Sequence, residues 1–110
     1  MKLSKGVLLL SAIAALSAPS YGQKGDAKLG KAAYTKQCAT CHGAAGEGKE
    51  NVAKLMKVEL KDLGSKEAQA HTDAELRTIV LQGKGKMKAV KDVKDGDVPN
   101  LIAFFRTLAH

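Results

Sequence analysis

Apolar and polar positions along the chain alternate with helical periodicity in several separate segments. The first of these covers residues 26–36 (DAKLGKAAYTK). Leu29 and Ala33 share one face of the predicted helix, and Gly30 and Tyr34 share the neighbouring face. We therefore expect a helix near the start of the folded region.

The middle of the chain gives a weaker signal. Three glycines in residues 43–48 (GAAGEG) predict a loop. Residues 51–63 are ambiguous, because their apolar positions fit a short helix without marking its ends. These positions are Val52, Leu55, Met56 and Leu60.

Two further helices have recognisable ends. Thr72 and Glu75 form a capping-box pattern that opens a helix, and Gly83 closes it. The apolar face of this helix consists of Leu76, Ile79 and Val80.

The last helix starts at Asp97-Val98-Pro99, because proline is tolerated in a first turn. Its apolar residues Val98, Leu101, Ile102, Phe105 and Leu108 follow helical spacing. With three to four helices and no strand pattern, the chain is predicted to be all-α.

A separate apolar run precedes these segments. Lys2 and Lys5 are followed by 13 uncharged residues, Gly6–Ala18, and then by small residues that permit cleavage after Ser20 or Gly22. This pattern predicts a signal peptide over residues 1–22, because the run is too short for a membrane span of about 20 residues. An uncleaved N-terminal anchor is the alternative. We expect export to the periplasm, a folded domain over residues 23–110, and no integral membrane protein after cleavage.

Length and composition limit what this domain can be. A chain of 110 residues excludes a large enzyme, a multidomain receptor and a repeat array. Cleavage would leave 88 residues with a net charge of +5, compared with +7 for the whole chain. Aromatic residues make up only 4% of the chain. A domain this small usually needs a covalent or metal staple to supplement its core.

Such a covalent cross-link is predicted by the sequence Cys38-Ala39-Thr40-Cys41-His42, which is the C-x-x-C-H signature for attachment of haem c. One helical turn brings both thiols to one side of the macrocycle, where they form thioethers, and directs the His42 imidazole at the iron. A thioredoxin-like redox pair would need a βαβ context, and a structural zinc ion would need four ligands. A disulfide would close only a very small loop. One covalently attached haem is the expected cofactor.

The order of these motifs resembles a class I cytochrome c of the small bacterial single-haem kind over residues 24–110. The matching parts are the first helix with Gly30 and Tyr34, the haem signature, the Gly-x-Gly-x-Met loop that ends in Met87, and the aromatic last helix. The resemblance implies a helical fold around one haem, with the first and last helices crossing. Gly30 would allow close approach near Phe104.

The resemblance also implies that Met87 is the distal iron ligand and His42 the proximal one. The composition leaves Met56, His71, His110 and the lysines as other candidates. Met56 fits core packing, His71 a solvated position and His110 a mobile chain end. Lys88 follows Met87 where the family usually has proline. The chain also has no proline between His42 and Met87, so we expect either that a carbonyl near residues 51–55 orients His42 or that the ring is less tightly held.

An iron with His and Met ligands suits outer-sphere electron transfer without substrate binding, so we expect an electron carrier rather than an enzyme. A haem subunit of a larger oxidoreductase complex, or a five-coordinate gas-binding protein if Met87 does not bind iron, are the alternatives. Lys84, Lys86 and Lys88 flank the proposed ligand and favour redox partners with acidic patches. No basic helix with interleaved aromatics suggests nucleic acid. We expect a monomer.

Overall fold

The structure is a computed structural model that describes residues 25–110. The predicted signal peptide lies outside the described residues. Those residues form six α-helices, of which three have ten or eleven residues and the others four to seven. The helices are α1 (Ala27–Gln37), α2 (Ala39–His42), α3 (Glu50–Met56), α4 (Lys66–Gln69), α5 (Asp73–Gln82) and α6 (Val98–Thr107).

Helix α1 begins where its sequence supplies a cap. The Asp26 carboxylate accepts hydrogen bonds from the backbone N–H groups of Lys28 and Leu29, which satisfies two donors of the first turn. The helix matches the prediction, but only one of its two predicted faces is buried. Gly30 and Tyr34 are buried, whereas 58% of Leu29 is exposed.

Helices α1 and α6 cross in close contact at Gly30. A Cβ atom added at Gly30 would lie 1.8 Å from the carbonyl oxygen of Asn100 and 3.0 Å from Phe104 Cβ. The expected close approach near Phe104 is therefore present. One turn further along α1, the Tyr34 and Phe104 rings pack with centroids 4.9 Å apart.

Helix α3 is shorter and more exposed than its apolar pattern predicts. It ends at Met56, and Lys57 adopts a left-handed conformation with φ of 53°. Leu60 is therefore not part of the helix, and it does not share an apolar helix face with Val52 and Met56. Leu55 is 83% exposed and Met56 is 38% exposed, so the interpretation of Met56 as a core-packing residue was wrong.

Helix α5 has the predicted ends. Thr72 Oγ1 accepts a hydrogen bond from the Glu75 backbone N–H at 3.1 Å, and Gly83, with φ of 81°, ends the helix. A short antiparallel hairpin follows, in which β1 (Gly83–Lys84) pairs with β2 (Met87–Lys88). The sequence predicted no strand, because two-residue strands are too short to show an alternation of apolar and polar positions.

The start of α6 also agrees with the sequence. A 3-10 turn, Asp95–Asp97, precedes the helix, and Pro99 lies in the first turn of α6. The backbone N–H of Asp26 donates to Asn100 Oδ1 at 2.8 Å, which joins the starts of α1 and α6.

Arg106 fastens the segment between α4 and α5 to α6. Its guanidinium donates to the carbonyl oxygens of Gln69 at 2.7 Å and His71 at 2.8 Å, and to Asp73 Oδ1 at 2.8 Å. Charge-assisted bonds of this kind are the stronger hydrogen bonds in proteins. They place His71 and the start of α5 in a defined position relative to the last helix.

The buried core of the described residues is small. It consists of Tyr34, Ala68, Val93, Val98, Leu101 and Phe104. Within residues 25–110, no helix has both the length and the apolar character needed to cross a membrane.

Candidate functional site

A cavity of about 590 Å³ lies beside this small core. Its walls come from α1, α2, α4 with the segments on either side of it, α5, the hairpin and α6, and they bring together residues that are far apart in sequence. The apolar part of the lining includes Leu63, Ala68, Leu76, Ile79, Val80 and Leu101. The face of α5 predicted to be apolar therefore faces the cavity.

The C-x-x-C-H signature forms a single turn at the edge of the cavity. The backbone N–H groups of Cys41 and His42 both donate to the Cys38 carbonyl, at 3.2 and 3.0 Å. Cys38 and His42 line the cavity, and Cys41, on the same turn, is half-buried but not among the lining residues. Burial, together with the neighbouring Cys41, raises the pKa of the Cys38 thiol to about 11. The two cysteines do not form a disulfide with each other.

The His42 ring has one nitrogen enclosed by protein. Nδ1 is buried and has no hydrogen-bond partner in the described part of the chain. Burial lowers the pKa of His42 below its ordinary value. The ring is therefore neutral at neutral pH, and Nε2 is the nitrogen that remains for a metal in the cavity.

Of the two alternatives for His42, the orienting carbonyl near residues 51–55 is wrong, because Nδ1 has no hydrogen-bond partner among residues 25–110. The segment is helix α3, and its carbonyls point along the helix axis. The Ala53 carbonyl, for example, accepts from the backbone N–H groups of Lys57 and Val58.

The backbone on the C-terminal side of His42 is held by two other hydrogen bonds. The Tyr34 hydroxyl donates to the Gly43 carbonyl at 2.6 Å, and the Gly48 N–H donates to the His42 carbonyl at 2.7 Å. The sequence pattern placed Tyr34 on a helix face but gave no sign of the bond, because hydroxyl partners depend on the tertiary structure.

Only some of the candidates for a second iron ligand line the cavity. Met87, on β2, is half-buried and lines the cavity. His71 also lines it, and its Nδ1 lies 2.8 Å from Glu75 Oε2. Met56 is 38% exposed and is not among the lining residues.

The interpretation of His110 as a mobile chain end was wrong. Its backbone N–H donates to the Gly64 carbonyl at 3.1 Å, and its Nε2 lies 2.7 Å from Asp62 Oδ2. The last residue is therefore docked on the segment before α4, and it does not line the cavity.

The lysines that flank Met87 have different surroundings. Lys84 lines the cavity, and Lys88 is exposed. Lys86 is exposed along its side chain, but its Nζ donates to the Met56 carbonyl at 2.7 Å.

These residues fit a haem group. The cavity has the size of a cofactor site and a mostly apolar lining. It offers a thiol from Cys38, a neutral imidazole from His42 and a thioether from Met87, all of which are known haem attachments or ligands.

Comparison with known proteins agrees with this chemistry. Residues 25–105 match the family described as "Cytochrome C oxidase, cbb3-type, subunit III". A solved structure, the KustC0563 c-type cytochrome, is similar with a TM-score of 0.64 and 23% sequence identity. The match covers 74% of this chain and 98% of that one, and it shows a common fold. No curated protein sequence matches significantly. The chain therefore belongs to the family of cbb3-type subunit III cytochromes and is a small c-type cytochrome whose cofactor is covalently attached haem c.

Proposed function

We propose that this protein is a periplasmic electron carrier with one haem, held by thioether bonds from Cys38 and Cys41 and ligated by His42 and Met87. The observation that carries the proposal is the single cavity that brings His42, on α2, and Met87, on β2, to one place. These two residues are 45 positions apart in the sequence. When bound, the haem supplies a one-electron Fe(III)/Fe(II) couple.

The residues around the cavity support electron transfer in several ways. The lowered pKa of His42 keeps its ring neutral, which is the form that binds iron. The thioether of Met87 stabilises the reduced state and raises the reduction potential. The apolar side chains of α5 exclude water, and a haem iron held by both His42 and Met87 would have no site open to a substrate.

The proposal predicts a specific effect of Met87→Ala in the haem-loaded protein. The haem stays covalently attached, but the weak far-red absorption band of an iron–sulfur bond disappears. The midpoint potential falls by on the order of 100 mV, within the roughly 0.8 V range over which axial ligands set haem potentials. Absorption spectroscopy and a redox titration measure both changes.

Two variants serve as controls for this experiment. Met56→Ala removes the exposed methionine outside the cavity and leaves the band and the potential unchanged. His71→Ala tests the other candidate on the cavity wall. If Met87→Ala retained the far-red band, the assignment of Met87 would be wrong. Rapid CO binding by the reduced wild-type protein would instead favour a five-coordinate, gas-binding iron.

The proposed location and partners follow from the sequence and the charge. The leading segment with two lysines and an uncharged run supports export to the periplasm. The exposed lysines at the hairpin support docking to acidic surfaces of redox proteins. We propose that the exported form is a monomer.

A second candidate function is that of a haem subunit within a terminal oxidase complex. The family description, which names subunit III of a cbb3-type oxidase, favours it. The two functions share the same haem site and differ in the protein's partners. Mild extraction from the native cell followed by size-exclusion chromatography separates them: a free carrier elutes at the size of the monomer, and a subunit elutes with its complex.

A further inference from the structure

The Met87 hairpin is joined to helix α3 by a hydrogen bond between residues 30 positions apart. The Lys86 ammonium donates to the Met56 carbonyl oxygen at 2.7 Å. We propose that Lys86 is a positioning residue, which holds the hairpin against the end of α3 and thereby strengthens the bond between Met87 and iron. This inference rests on the proposed function, in which Met87 is the distal ligand.

The end of α3 provides a suitable acceptor for a cation. Met56 is the last residue of the helix, and the capping N–H of Lys57 donates instead to the carbonyls of Ala53 and Lys54. The last carbonyls of a helix lack intrahelical donors and carry the negative end of the helix dipole. A lysine ammonium satisfies the Met56 carbonyl and is favoured by that partial charge.

The hairpin needs such a contact, because its own pairing is short. Each strand has only two residues, with Gly83 opposite Lys88 and Lys84 opposite Met87. An isolated two-stranded hairpin is at best marginally stable in water. Gly85, with φ of 58°, forms the turn and adds no side chain that could pack.

Lys86 directly precedes Met87 in the sequence, so the hydrogen bond that Lys86 makes with α3 bears on the position of Met87. Lys86 lies in the turn of the hairpin, and Met87 is the first residue of β2. Met87 lines the cavity, whereas the Lys86 side chain extends to α3. The hydrogen bond that holds Lys86 at the end of α3 therefore restricts the movement of Met87 away from the cavity.

Lys88, another lysine of the hairpin, is a matched control because it does not line the cavity. Lys84 and Lys88 are exposed, and among residues 25–110 neither ammonium has a hydrogen bond or an ion pair with another side chain or carbonyl in the structure. Lys88 is as close to Met87 in sequence as Lys86 is, and it carries the same charge. Replacing Lys88 therefore reproduces the loss of charge without the loss of the bond to α3.

Displacement of the distal ligand by imidazole tests the inference in the haem-loaded, oxidised protein. The dissociation constant of imidazole is measured for the wild type, Lys86→Ala, Lys86→Arg and Lys88→Ala, from loss of the far-red band. We expect Lys86→Ala to bind imidazole about threefold to tenfold more tightly, as for loss of a partly exposed charge-assisted hydrogen bond. Lys88→Ala stays within about twofold of the wild type, and Lys86→Arg, which can still donate to the carbonyl, is also close to it.

Equal imidazole affinities for Lys86→Ala and Lys88→Ala would overturn the inference. If Lys86→Arg bound imidazole as tightly as Lys86→Ala does, that result would also overturn the inference. Failure of the proposed function is recognised separately, because Met87→Ala would then keep the far-red band. A purely structural effect of Lys86 on α3 would lower the helical circular dichroism signal without changing imidazole affinity, and that result would also contradict the inference.

Discussion

Tyr34 joins the hydrophobic core to the haem signature. Its ring packs on Phe104, and its hydroxyl donates to the carbonyl of Gly43, the residue that follows His42. Tyr34→Phe keeps the ring contact and leaves the Gly43 carbonyl without this donor. We expect the free energy of unfolding of the haem-loaded protein to fall by about 1–2 kcal/mol at pH 8. Guanidinium unfolding, followed by the helical circular dichroism signal, measures this loss.

The same variant carries a pH prediction. Burial, as the largest cause, together with the negative charge of Glu47, raises the pKa of Tyr34 from 10.0 to about 12. The unfolded chain therefore releases this proton first, and the contribution of Tyr34 to stability is complete below pH 10 and declines between pH 10 and 12. The stability difference between wild type and Tyr34→Phe should shrink between pH 8 and pH 11. A difference that stayed constant over this interval would contradict the assignment.

The unpartnered Nδ1 of His42 is a second feature at this scale. Metal-binding histidines usually donate their other ring N–H to an acceptor, which fixes the ring and raises its basicity. Here Nδ1 is buried without such an acceptor among residues 25–110, and only the backbone of His42 is held, through hydrogen bonds with Cys38 and Gly48. The missing proline in the sequence indicated that the usual acceptor was absent, but only the structure showed that α3 provides no replacement.

Among the elements, the contact between α1 and α6 depends on one residue without a side chain. A Cβ atom at position 30 would lie 1.8 Å from the Asn100 carbonyl oxygen and 2.5 Å from its carbon. Gly30→Ala therefore forces the helices apart, although alanine favours an isolated helix by about 1 kcal/mol. We expect a net destabilisation of about 1–3 kcal/mol, the usual cost of overpacking, measured by guanidinium unfolding.

Lys31→Ala is the matched control for this prediction. It introduces the same residue at the next position of the same helix, where the side chain is exposed. Its unfolding free energy should stay within about 0.5 kcal/mol of the wild type. A Gly30→Ala protein as stable as this control would show that the helices can separate without loss of packing.

The elements also show which sequence signals were reliable. Helices α1, α5 and α6 were predicted because each has a cap or a proline at one end and an apolar face that packs on the core or lines the cavity. Helix α3 has apolar residues but no such partner, and its left-handed end at Lys57 could not be read from the pattern. The hairpin was missed because two residue pairs give no periodicity.

For the whole molecule, the excess of positive charge gives a prediction about association with redox partners. The net charge is +7 for the whole chain and +5 once residues 1–22 are removed, and Lys84 and Lys88 are exposed at the hairpin that lines the cavity. The rate of oxidation by an acidic partner should fall several-fold between low and high salt, because ions screen the attraction. Stopped-flow absorption spectroscopy measures this rate.

A double variant tests whether the hairpin is the docking site. Lys84→Gln with Lys88→Gln should flatten the salt dependence. Lys31→Gln with Lys36→Gln removes the same charge from exposed positions on α1 and should have a smaller effect. Equal slopes for the two double variants would indicate that only the net charge matters.

The sequence alone predicts the haem signature, the all-α class and the main helices, because each depends on residues within a few positions of one another. Cys38, Cys41 and His42 lie on a single turn, and a helix face repeats every three or four residues. The tertiary structure decided which of the remaining methionines and histidines line the cavity. It separated Met87 and His71 from Met56 and His110 through contacts between distant segments. The Lys86–Met56 bond and the unpartnered nitrogen of His42 are of the same kind, since both depend on where α3 lies relative to the rest of the chain.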